Sequence, residues 1–144
     1  LEFLAGEIAH PGLHAVVARF VSDANVRAGL RGLPAAETHH SYAGGLLEHT
    51  VGVATICRET TQLHPRLRSD LLLSAALLHD VGRIAELTRG PTFRQTDEGR
   101  LLGHVHLGLR LVEEGAADLP SPGVPAPRVA LWSWSSSYCF SSNR

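Results

Sequence analysis

The chain has 144 residues, 44% of them apolar and 19% charged, with a formal net charge of −1. That length suits one domain with a single core, and the near-neutral charge excludes a global attraction to nucleic acid or membrane, so any polyanion must be gripped locally. No apolar run approaches the roughly 18–20 residues that span a bilayer, and the start LEFLAGEIAHPG lacks the basic flank and apolar stretch of a signal peptide. A cytoplasmic address is expected, and Cys57 and Cys139, which lack CxxC spacing, suit its reducing conditions.

Behind Pro11, Leu13, Val16, Val17, Phe20 and Val21 fall at helical spacing and predict a helix from Pro11 to Ser22. Asp23 can cap a short second helix through Leu30, after which Gly32 and Pro34 predict a loop. From Leu46 to about Gln62, Leu46, Thr50, Val53, Ala54 and Cys57 repeat at three and four residues and predict a third helix with His49 beside its stripe. Ser69 is the expected cap of SDLLLSAALLHDVG, which is apolar on nearly every side, as a helix at the centre of a bundle should be. Leu101, Val105, Leu109 and Val112 then predict a last helix carrying His104, and only Thr92 to Thr96 hints at a strand. The fold class is all-α. Residues 131–144 hold both tryptophans and six serines, whereas residues 1–120 hold four serines, so a domain over 1–120 and an atypical Pro/Ser-rich tail over 121–144 are expected.

An ionisable pair, His79 and Asp80, closes the apolar run, and burying it without partners would cost several kcal/mol. A divalent cation compensates such a pair, because neutral imidazole and carboxylate are both good ligands and Asp80 can bridge two ions. His49 and His104 come from other helices with the same apolar backing, like the inward ligands of bundle-core metal sites. Without cysteine ligands, a nitrogen and oxygen set suits manganese, iron, nickel, cobalt or magnesium better than structural zinc, and manganese is the expected ion. Against this, a single helical histidine on an apolar face is more often a hydrogen-bonded core residue than a ligand, so spacing alone leaves His49 and His104 undecided. His10, His14, His64 and His106 keep the bland reading. Residues 58–110 hold eight arginines against six acids, a pattern read as a mostly solvated face.

The blocks PAAETHHSYAGGLLEHTVGVA, LLLSAALLHDVGRIAEL and TDEGRLLGHVHLG resemble, in order and distance, the HD family of metal-dependent phosphohydrolases, and within it the HD domain of YhaM-type 3′-to-5′ exoribonucleases. The likeness covers about residues 8 to 113 and implies an HD-domain helical bundle that is C-terminally incomplete. It implies His49 as first metal ligand, His79 and Asp80 as the His-Asp dyad, and His104 as a ligand linked to a second metal. Arg83 stands where the family usually has lysine, which keeps the charge and implies a catalytic role on phosphate beside Asp80. His39, His40, Gly44 and Gly45 match the loop before the first ligand and are implied to be substrate-side residues.

The family's SHHG-like block and final aspartate have no counterpart here, and the chain contains no methionine, so Leu1 is expected to lie inside a longer protein. The resemblance implies that an upstream OB-fold-type domain of that protein holds single-stranded RNA, with the HD domain hydrolysing it from the 3′ end. A chain without the last ligands is expected to bind metal weakly and to turn over phosphodiesters slowly or not at all. Two other readings stay open: hydrolysis of a free nucleotide or cyclic dinucleotide, and a non-catalytic helical module that binds metal or a partner. The sequence specifies no oligomeric state.

Overall fold

The computed structural model describes residues 1–36, 39–90, 92–117 and 119, and builds from them seven helices with no strand among the described residues. They are α1 (Glu2–Gly6), α2 (Pro11–Ser22), α3 (Ala24–Gly32), α4 (Gly45–Leu63), α5 (Ser69–Leu78), α6 (Arg83–Glu86) and α7 (Asp97–Ala116). The fold is the expected all-α bundle. Pro11 occupies the first turn of α2, and the His10 ring accepts from the Leu13 amide at 3.5 Å. The Asp23 carboxylate caps α3 by accepting from the Asn25 and Val26 amides at 2.8 and 2.9 Å.

Helix α5 is central, packed against α4, α2 and α1. Its Leu73, Ala76, Leu77 and Leu78 join Leu13, Val17, Phe20, Ala54 and Val112 in the main core. Each fully buried aliphatic chain contributes about 1.5–3 kcal/mol, so this core joins α2, α4, α5 and α7. A smaller cluster of Leu30, Leu33 and Leu46 lies under the loop that enters α4, and the Leu46 amide donates to the Leu33 carbonyl at 3.0 Å.

Three local expectations need correction, and one helix is added to them. Helix α1 is not visible as a period, because five residues offer too few repeats, yet it buries Leu4 and Ala5. Ser69 is the first residue of α5 rather than its cap. The next side chain, Asp70, accepts instead from the Ala9 and His10 amides at 3.2 and 3.0 Å, tying the α1–α2 turn to α5. The hint of a strand near Thr92 to Thr96 reduces to one antiparallel bridge between Leu87 and Gln95. Finally, α7 is broken at Gly103, whose φ of 70° and ψ of 161° interrupt the helical phase. A stripe extrapolated across that break fails, which is why Leu101 is 83% exposed while Leu107 and Val112 are buried. No helix among the described residues is long and apolar enough to cross a membrane. The tail expected over 121–144 lies outside the described residues.

Candidate metal centre

His49 sits one turn into α4, while His79 and Asp80 follow the last residue of α5. There the chain turns tightly, with the Val81 amide donating to the Leu78 carbonyl at 3.1 Å and the Arg83 amide to the Asp80 carbonyl at 3.0 Å. The close approach of α7 to this turn is possible because position 82 is glycine: a Cβ there would lie 1.9 Å from the His104 carbonyl oxygen. Helices α6 and α7 therefore touch backbone to backbone, which brings His104 beside the dyad.

The Nε2 atoms of His49 and His79 stand 3.2 Å apart, and Asp80 Oδ2 lies 3.6 Å from the first and 3.5 Å from the second. Among the described residues, these three side chains each bring one donor atom within 4.8 Å of the others. The His79 Nδ1 is 2.9 Å from the Ala76 carbonyl, which can only accept, so Nδ1 carries the proton and neutral His79 has its lone pair on Nε2. Burial pushes His49 below the ordinary histidine range, opposed by the Asp80 carboxylate, and keeps it in the neutral form that ligates. Two imidazole nitrogens and a carboxylate oxygen of a nearly buried aspartate therefore fit one divalent cation.

His104 stands on the other side of Asp80, with its Nε2 3.4 Å from Oδ1. Each Asp80 oxygen thus faces different histidines. Burial lowers the His104 pKa, and the Arg83 guanidinium acts in the same direction, against the Asp80 and Glu86 carboxylates. Arg83 Nη1 donates to Glu86 Oε2 at 2.8 Å, while its Nε is buried with no hydrogen-bond partner among the described residues. Sequence reasoning missed Glu86. It is only 4% exposed and lies 3.6 Å from His104 Nδ1, and the one signal for it was an acid set within the apolar RIAEL segment.

The histidine loop closes the outer side. The rings of His39 and His40 lie 5.1 and 5.9 Å from that of His49. His40 has a φ of 49°, and the Ala35 amide holds its carbonyl at 3.1 Å. Gly45 fits beneath that carbonyl, where a Cβ would come within 2.0 Å of the oxygen, and Gly44, with a φ of 88°, caps α4. Both glycines thus shape the loop. Tyr42 donates to Glu48 Oε2 at 2.5 Å and faces His40 Nδ1 at 2.9 Å. His14, His64 and His106 are exposed and have no place in the cluster.

Fold and site together define an all-helical protein with a clustered set of histidine and carboxylate donors able to hold a metal ion. The family model of the HD domain matches residues 46–124, more than half the sequence, and the chain belongs to the HD domain family. Its relatives include proteins named 3′-5′ exoribonuclease YhaM. That of Shouchella clausii is 32% identical over 81% of this chain and 36% of its own length. The Oceanobacillus iheyensis protein is 35% identical over 75% of this chain and 33% of its own length. The chain spans about a third of the length of these curated relatives. No solved structure matches the chain significantly.

Proposed function

We propose that the chain is the hydrolytic domain of a divalent-metal-dependent phosphodiesterase that removes nucleotides from the 3′ end of single-stranded RNA in the cytoplasm. The observation that carries this reading is the convergence of His49, His79 and Asp80 within 4.8 Å. The exoribonuclease relatives support the choice of RNA. His49, His79 and Asp80 are the proposed ligands of one manganese ion, and Asp80 Oδ1 with His104 extends the set. An OB-fold-type domain elsewhere in the longer protein would hold the strand.

When bound, the ion supplies Lewis-acid polarisation of the phosphoryl group and a more acidic water. The residues supply the geometry. His49 and His79 offer neutral nitrogens, and Asp80 provides the negative charge that fixes their relative position. Arg83 adds a cation for the charge that develops on phosphate. His39, His40 and the Gly44–Gly45 backbone form the approach for the scissile group. Water oxygen bonds to phosphorus, the bond from phosphorus to the 3′ oxygen of the preceding nucleotide breaks, and the proton passes to that oxygen. A nucleoside 5′-monophosphate leaves.

The test is to incubate the protein and its Asp80→Asn variant with manganese and three substrates: a 5′-labelled RNA oligonucleotide, a cyclic dinucleotide and a nucleoside triphosphate. The reading expects manganese-dependent shortening of RNA by the wild type and none by the variant. Turnover of only the small nucleotides would replace RNA as substrate. Tight metal binding with no turnover of any substrate would make the chain a binding module.

A further inference from the structure

We infer that Glu86 is a positioning residue for His104: its carboxylate accepts from Nδ1–H, keeps the proton on that nitrogen and so presents Nε2 to the ion held beside Asp80. This rests on the metal reading above and adds a residue to it. His104 lies between two carboxylates, with Asp80 Oδ1 3.4 Å from Nε2 and Glu86 Oε2 3.6 Å from Nδ1. A neutral imidazole has one N–H and cannot donate to both. With the proton on Nδ1, the Nε2 lone pair faces an anionic oxygen, an arrangement that a cation between them turns from repulsive to attractive. Glu86 meets the opposite ring nitrogen and does not join the tight donor group, so it acts through His104 rather than on the ion.

The fold invests in holding Glu86 there. Its side chain is 5% exposed and Oε2 also accepts from Arg83 Nη1 at 2.8 Å, which neutralises the buried charge. Its carbonyl accepts from the Thr96 amide at 2.8 Å, and Thr96 Oγ1 donates to the Ala85 carbonyl at 2.9 Å. Gly99 leaves room for the approach, since a Cβ there would be 2.5 Å from the Glu86 carbonyl oxygen. The Nδ1 contact is a few tenths of an ångström longer than a hydrogen bond of about 2.7–3.2 Å, a gap that a small ring tilt closes. A carboxylate on the far nitrogen of a ligating histidine typically changes metal affinity by about 10–100-fold.

The experiment has two parts. Long-range 1H–15N spectra of the zinc-loaded wild type read the His104 tautomer, and manganese titrations compare wild type, Glu86→Gln and Arg83→Gln. The expected results are Nδ1–H on His104, manganese binding weakened about 10–100-fold by Glu86→Gln, and a smaller loss in Arg83→Gln, which keeps the carboxylate. An Nε2–H tautomer in the zinc-loaded wild type overturns the inference even if a variant fails to fold. Equal losses in the two variants overturn it too, because they would reduce Glu86 to half of a structural ion pair. Failure of the wild type to bind either ion removes the metal reading and this role with it, whereas binding with the wrong tautomer removes only the role of Glu86.

Discussion

His49 and His79 reach the cluster from the 19-residue α4 and the 10-residue α5, two regular helices that share the main core. His104, Arg83 and Glu86 come instead from a four-residue helix and from a helix broken at Gly103. The first side is positioned by side-chain packing, which tolerates small changes of volume. The second is positioned by backbone contact at Gly82, which tolerates no added atom. The comparison teaches that one centre can be half robust and half brittle, with Asp80 as the residue common to both.

Asp80→Asn should do the most damage, because it removes the charge that both sides face. Manganese affinity should fall by more than the roughly 100-fold upper range of an outer-shell partner, as titration calorimetry would register. Gly82→Ala should break the brittle side: forcing α6 from α7 should cost about 2–3 kcal/mol, read as a lower urea midpoint, and the His104 contribution to metal binding should vanish with it. His104→Ala should weaken manganese binding about 10–100-fold, at least as much as Glu86→Gln and less than His49→Ala, since His104 stands outside the tight donor group. Equal losses would erase the distinction between the two sides. On the packed side, Gly52→Ala should stabilise the protein by about 0.5–1 kcal/mol, because nothing lies within 4 Å of the added Cβ in the middle of α4.

The smallest effect concerns the Glu7–Arg58 pair on the surface. The Arg58 hydrogen bond holds the Glu7 carboxyl below its ordinary value of 4.5. Since the folded value is depressed, the contribution is present above the unfolded value and lost as pH falls through the lower folded one. Glu7→Gln should therefore lower the urea midpoint slightly at pH 7 and not at a pH below the folded value.

The difference between the two sides also explains what was legible in the sequence. Helices α2 and α4 repeat their apolar residues over three or more turns, and that period places their cores and sets His49 beside its stripe, whereas α5 is legible as a run apolar on nearly every side. His79 and Asp80 stood out because they end an apolar run. Helix α6 offers only four residues, so no period marks Glu86, and its one signal is an acid set between the apolar Ala85 and Leu87. The exposure of Leu101 was misread for a related reason: a positive φ at Gly103 resets the helical phase, and a glycine inside a helical pattern does not announce which conformation it takes. The meaning of Gly45 and Gly82 became visible only once the strands of chain that pass beneath them were known.

The most direct test of the central claim, that His49, His79 and Asp80 hold one divalent ion, is pulsed electron paramagnetic resonance of manganese added to the protein. The account predicts nuclear modulation from directly bound histidine nitrogen, weakened in His49→Ala and again in His79→Ala, and loss of the bound signal in Asp80→Asn. A manganese spectrum with water ligands alone, unchanged by all three substitutions, would contradict it.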